Sequence, residues 1–267
     1  MDKNLFLAFS LTALAGLSTG IGSTIALFSK RTNKYFISFV LGFSAGVMIY
    51  VSFVEILVKA RDSLVMAHGE IKGAWFAILS FFGGMVLIMI IDLLVPSHEN
   101  PHEARSVEET RGDIPSEKKL LKMGIFTAMA IAIHNFPEGL ATFISTLKDP
   151  SLGISIAIAI AIHNIPEGIS VSVPIFFATG SRIKAFWLSF LSGLSEPLGA
   201  LIGYTLLRSL FSDNTFGVLF ASVGGIMVYV SLDELLPAAR EFGTGHIAIL
   251  GVIFGMGVMA SSLLLFM

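Results

Sequence analysis

Two hexapeptides in this chain are suited to holding a metal ion: His134-Asn135-Phe136-Pro137-Glu138-Gly139 and His163-Asn164-Ile165-Pro166-Glu167-Gly168. In each, a His and a Glu stand four residues apart and share one face of a helix. The Asn after each His points about 100° further round. Each proline removes a backbone donor and crowds the carbonyl four residues earlier. This frees the carbonyls of Ile133 and Ile162 and predicts a kink in both helices. Imidazole and carboxylate are a ligand set suited to Zn²⁺ and its neighbours. Glu196-Pro197 adds a third carboxylate beside a proline. There is no cysteine, so any metal must be held by His, carboxylate, amide or Met.

The elements that must position these groups are membrane helices. Of the 267 residues, 54% are hydrophobic and 13% charged, against about 25% charged in a soluble domain. The apolar residues come in blocks of about 20 or more, long enough to span a hydrocarbon core. Backbone groups in lipid must be satisfied within the segment, so such blocks are helices. Eight spans are expected, at about 4–28, 35–58, 73–95, 123–147, 151–177, 184–207, 214–236 and 246–267. The first is expected to be a span rather than a cleaved signal, because its start is barely charged and its apolar run is long. The fold class is therefore all-α: one polytopic transmembrane domain over 1–267, with a long polar loop at 96–122.

Three carboxylates inside apolar spans would cost on the order of 8–10 kcal/mol on insertion scales. A cation, protons or a water-filled path must compensate them. The net charge of −2 and the lack of a long basic run predict no nucleic-acid partner. The partners expected are divalent metal ions and the lipid bilayer, with a homodimer left open.

Lys and Arg are biased toward one set of loops. The first, third, fifth and seventh connections hold 11, and the N-terminal segment with the other connections holds 6. The positive-inside rule then makes the 96–122 loop cytoplasmic and puts both termini outside the cell membrane.

The sequence also resembles itself. Gly225-Ile226-Met227-Val228-Tyr229-Val230-Ser231 repeats Gly46-Val47-Met48-Ile49-Tyr50-Val51-Ser52, with Glu234 on Glu55 and Arg240 on Arg61. Gly193-Leu194-Ser195 matches Gly16-Leu17-Ser18, which sets Gly199 on Gly22 and Glu196 on Thr19. Ala248-Ile249-Leu250 matches Ala77-Ile78-Leu79, followed by Gly255-Met256 on Gly84-Met85. Spans one to three thus relate to spans six to eight. Five spans separate the copies, so they cross in opposite directions. The result is a 3+2+3 arrangement with an inverted repeat, a common device of secondary transporters.

With its paired His-Asn-x-Pro-Glu-Gly motifs and eight spans, the chain resembles the ZIP family of divalent metal-ion transporters, over its whole length. The resemblance implies one metal position made by His134, Glu138, His163 and Glu167. It implies a second made by Asn135, Asn164 and Glu196, sharing Glu138 and Glu167, so that the centre is binuclear. It implies import of divalent transition-metal ions through a mid-membrane site by alternating access. Zn²⁺ is first among them, ahead of Fe²⁺, Mn²⁺, Co²⁺ and Cd²⁺, and the metal is cargo rather than a prosthetic group.

Two other functions compete. An intramembrane metal hydrolase would use His- and Glu-bound Zn²⁺ to activate water, but no His-Glu-x-x-His helix motif exists: the string His98-Glu99-Asn100-Pro101-His102 carries a proline and falls in the 96–122 loop. A proton or monovalent-cation pathway would bind no stoichiometric Zn²⁺. No phosphate-binding Gly-rich Lys-Ser/Thr loop is found, which argues against ATP as energy source and leaves a secondary or facilitative transporter, not an enzyme. His98 and His102, flanked by Glu99 and Glu103, lie in the 96–122 loop. They are either a landing place for departing metal or part of an ordinary solvated loop. Glu55, Asp233 and Glu234 are expected near the mouths. The spacings Gly16/Gly20 and Gly199/Gly203 are expected to serve helix packing.

Overall fold

The structure, a computed structural model, describes residues 3–28, 34–93, 117–207, 212–242 and 245–265. His98 and His102 lie outside the described residues. All described elements are helical: α1 Lys3–Phe28, α2 Lys34–Val51, α3 Leu57–His68, α4 Glu70–Leu93, α5 Glu117–Lys148, α6 Pro150–Thr179, α7 Arg182–Gly193, α8 Ser195–Leu207, α9 Asp213–Val230, α10 Leu236–Phe242 and α11 Gly245–Leu265. Among the described residues, seven stretches are long and apolar enough to cross a membrane. They are Lys3–Thr24, Ser38–His68, Glu70–Leu93, Pro150–Ile169, Arg182–Thr205, Asn214–Arg240 and Gly245–Leu265.

Local chemistry explains most helix ends. The Asp149 carboxylate accepts from the Ser151 and Leu152 amides ahead of α6, with Pro150 in the first turn, where its missing N–H costs nothing. Ser181 and Ser212 cap α7 and α9 in the same way. Gly180 closes α6 at φ +62°, a conformation that carries a penalty for any residue with a Cβ. Helix α5 begins at Glu117, earlier than the apolar block from Met123. The run Glu-Lys-Lys-Leu-Leu-Lys between them is rich in good helix formers.

Two helices contain a π turn. Residues Ser52–Ile56 link α2 to α3, and Ser231–Leu235 link α9 to α10. These are matched positions in the sequence repeat. Packing partners change across each turn. Helix α2 packs on α11 and α6, whereas α3 packs on α9 and α4; α9 packs on α4 and α3, whereas α10 packs on α2.

Close approaches through glycine also fall in matched pairs. A Cβ on Gly46 would strike the Val252 carbonyl, and one on Gly255 the Phe43 carbonyl. At the matched positions, Gly225 abuts the Phe81 carbonyl and Gly84 the Ser222 carbonyl. Around the centre, Gly22 abuts the Ile165 carbonyl and Gly168 that of Thr19. Their matches are Gly199 against Phe136 and Gly139 against Glu196. The α2–α11 approaches advance together: Gly42 meets Ala248 and Gly46 meets Val252, four residues on in both helices. These two helices therefore run parallel.

Polar contacts tie further helices. Ser23 donates to the Ser189 hydroxyl at 2.6 Å, and Ser189 to the Gly168 carbonyl at 3.1 Å, joining α1, α7 and α6. At the end of α5, Lys148 Nζ donates to Ser63 Oγ on α3 at 2.8 Å and sits 4.1 Å over the Phe216 ring of α9. The core between these helices is aliphatic and aromatic, with Met48, Phe143, Ile156, Ile160, Phe220 and Met227 buried.

Candidate metal centre

Three helices bring the polar residues together in the interior. Helix α5 carries Asn135 and Glu138, α6 carries His163, Asn164 and Glu167, and α8 carries Glu196 in its first turn. All six are at most 1% exposed. Helices α5 and α6 continue through Pro137 and Pro166. An interruption comes at Leu194, between α7 and α8. Pro197 cannot donate to the carbonyl of Gly193, so the helix breaks one turn ahead of it.

The closest pairing crosses from one motif to the other. His163 Nε2 lies 3.1 Å from Glu138 Oε2. Asn164 Nδ2 donates to Glu196 Oε1 on α8 and, at 2.9 Å, to the Ala15 carbonyl on α1. Both partners are acceptors, so the amide nitrogen must face them and Oδ1 must turn away. Glu138 and Glu167 both lie within electrostatic range of Glu196.

Glu138 Oε1, Asn164 Oδ1 and Glu196 Oε2 are buried without a hydrogen-bond partner among the described residues. Each such acceptor costs about 1–3 kcal/mol if nothing satisfies it. All three are oxygen lone pairs with no donor, which is what a cation requires. Among the described residues no three His, Asp or Glu side chains close into a cage as they stand. His163 is paired with Glu138 instead, and Asn164 with Glu196.

Five of the seven residues expected from the motifs, Glu138, His163, Asn164, Glu167 and Glu196, are thus linked by contacts or close charges, and the sixth, Asn135, is buried on α5 three residues before Glu138. The seventh, His134, is on α5 one turn before Glu138, and its side chain lies outside those described. The Ala15 carbonyl, which orients Asn164, was not foreseen. A main-chain oxygen has no residue-type signature, so no sequence signal marks it. The glycines read as packing residues do pack: Gly16 against the Gly193 carbonyl, Gly20 against Phe190 and Gly203 against Leu140.

The family model for the ZIP zinc transporter matches residues 92–262, a stretch that contains both hexapeptides and Glu196. The chain belongs to the ZIP family. Like other ZIP proteins it is a membrane transporter and not an enzyme. It is similar along its length to proteins named zinc transporter ZupT. That of Chlorobium chlorochromatii (strain CaD3) is 63% identical over 269 residues, covering 100% of both chains. That of Lysinibacillus sphaericus (strain C3-41) is 61% identical over 267 residues, covering 99% of both. That of Clostridium perfringens (strain 13 / Type A) is 60% identical over 277 residues, covering 99% of this chain and 97% of the relative.

Proposed function

We propose that this ZIP protein imports divalent transition-metal ions, Zn²⁺ first, through a mid-membrane site on α5, α6 and α8. The observation that carries this is the buried group of three carboxylates, an imidazole and an amide, with three oxygen atoms left without donors among the described residues. Such a group is costly to keep in a membrane unless a cation visits it. The names of the full-length relatives point the same way for the metal. Glu138, Glu167 and His163, joined by His134, make one metal position. Asn135, Asn164 and Glu196 share the two glutamates for an adjacent one.

Eight crossings in a 3+2+3 plan are part of the proposal, with α5 as the fourth. The parallel course of α2 and α11 supports it. Parallel helices need an odd number of crossings between them, and five lie there only when α5 is counted. The matched glycine approaches and matched π turns support an inverted repeat of spans one to three and six to eight. Both termini then lie outside the cell membrane and the 96–122 loop is cytoplasmic. Two states of this framework, open to opposite sides, give alternating access. Helices α1, α5, α6, α7 and α8 form the carrying unit, which moves against the rest.

No nucleotide is needed for entry. Two charges crossing about 100 mV, negative inside, gain about 4.6 kcal/mol, enough to hold on the order of a 2,000-fold gradient. The deciding experiment uses the purified full chain in metal-free liposomes with an inside-negative potential. Saturable Zn²⁺ influx is expected. Stoichiometric binding without influx, or influx of monovalent cations alone, overturns the proposal.

A further inference from the structure

We infer that Thr19 is a further residue of the cation site, its hydroxyl oxygen held for the ion or for a water in the ion's shell. This rests on the function proposed above and adds a fourth element, α1, to the groups that meet the cargo.

Thr19 is fully buried, and its Oγ1 has no hydrogen-bond partner among the described residues. That sets it apart on its own helix. Thr12 donates to the Ala8 carbonyl at 2.9 Å and Thr24 to that of Gly20 at 2.8 Å, each reaching back four residues. The same reach from Thr19 would end on the Ala15 carbonyl. That oxygen already accepts from Ser18 Oγ at 2.6 Å and from Asn164 Nδ2 at 2.9 Å. Inside α1 it also receives the Thr19 amide, so this carbonyl is already crowded with donors, and the Thr19 hydroxyl goes without its ordinary partner.

Thr19 lies between segments that carry the site and the break in the helix that leads to Glu196. One turn back, Ala15 holds Asn164. The Thr19 carbonyl abuts Gly168, the residue after Glu167. Its Oγ1 lies 2.7 Å from where a Cβ on Gly193 would stand, at the break one turn before Pro197. Pro197 also deprives the Gly193 carbonyl of its helical donor. Thr19 further stands at the position matched to Glu196, and each presses its carbonyl on the matched glycine, Gly168 or Gly139. One half of the repeat thus offers the site a carboxylate and the other a neutral oxygen.

A hydroxyl buried without a partner destabilises a fold, and valine has nearly the same shape without that penalty. Packing alone would therefore favour valine at position 19. A lone-pair oxygen at this place is useful to a visiting cation.

The test uses the full chain in liposomes with Zn²⁺ alone, comparing wild type, Thr19→Val, Thr19→Ser and Glu138→Ala. Thr19→Val is expected to unfold at or above the wild-type temperature without metal, yet to show a KM for Zn²⁺ raised about tenfold, the scale of one hydrogen bond to a charged group. Thr19→Ser should return KM to within about twofold of wild type. If wild type carries Zn²⁺ and Glu138→Ala does not, but Thr19→Val keeps the wild-type KM, the inference about Thr19 is wrong and the site stands. If wild type carries no Zn²⁺, or Glu138→Ala carries it normally, the underlying function fails first. Equal loss of stability and uptake in Val and Ser variants would assign Thr19 to packing and overturn the inference. Should Thr19→Val fail to insert, Thr19→Ala against Thr19→Ser gives the same contrast, with only Ala expected to weaken Zn²⁺ uptake.

Discussion

His163 on α6 reaches Glu138 on α5, with Nε2 and Oε2 3.1 Å apart. The pairing joins the His of one hexapeptide to the Glu of the other, so the two motifs form one unit. Replacing Glu138 or Glu167 by Ala is expected to abolish Zn²⁺ influx in liposomes while the protein still inserts and folds. Wild-type influx in either variant would remove these carboxylates from the site.

Acidity should weaken the site. The metal-binding form of His163 is the neutral imidazole, so protons and metal compete for it. A falling pH raises the proton concentration against a fixed Zn²⁺ concentration and tips that competition toward the proton. The dissociation constant for Zn²⁺ should therefore rise from pH 7.5 to 5. Calorimetric titration that finds one constant across this range would exclude histidine ligation.

The absence of native cysteine allows clean cross-linking. Ser23 and Ser189 touch through their hydroxyls at 2.6 Å, and both are on helices assigned to the carrying unit. A disulfide in Ser23→Cys with Ser189→Cys should leave Zn²⁺ flux largely intact. Ile144 on α5 and Leu219 on α9 line one apolar cavity from opposite units. Bridging Ile144→Cys with Leu219→Cys should stop flux and spare Zn²⁺ binding. Flux that survives the second bridge would favour a fixed channel over moving units.

The membrane helices were legible because lipid demands long apolar blocks, and the duplicated hexapeptides were legible because His and Glu inside such blocks are too costly to be incidental. Other features have no signature in residue type. The spans expected at 35–58 and 214–236 hold π turns at Ser52–Ile56 and Ser231–Leu235 within them, and nothing in Ser-Phe-Val-Glu-Ile or Ser-Leu-Asp-Glu-Leu distinguishes a π turn from an α turn. The repeat did align these two segments, which located the feature without naming it. The break at Leu194 could be placed from Pro197. Continuous helix through Pro137 and Pro166 could not, because neighbouring helices decide whether such a helix holds.

Packing glycines should separate into two classes. A Cβ on Gly22 would strike the Ile165 carbonyl, and backbone cannot give way as a side chain can. Gly22→Ala should cost about 1–3 kcal/mol, as overpacking does. An added Cβ on Gly83 or Gly257 meets nothing within 4 Å. Alanine there should be neutral or stabilising by less than about 1 kcal/mol. Thermal unfolding in detergent measures both, and equal effects would contradict the close approach at Gly22.

Lys148 holds the end of α5 against both α3 and α9. Lys148→Met keeps the aliphatic stem and removes the charge. It should lower stability by about 1–2 kcal/mol, the sum expected for one part-buried hydrogen bond and one cation–π contact. The double variant with Phe216→Leu should lose less than the two single losses added together. Strict additivity in that cycle would deny the ring contact.

The π turns at Ser52–Ile56 and Ser231–Leu235 have a further consequence for how this chain tolerates change in length. Each turn holds one residue more than an α turn would, so it absorbs that residue while the helices on either side keep their phase. Deleting one residue there lets the turn close as an ordinary α turn, with α2 still on α11 and the buried Ala60 and Leu64 of α3 still toward α9. The same deletion within α3 has no such slack and would swing everything beyond it by about 100°. These five-residue windows are therefore the places in their helices where a single-codon deletion is mildest.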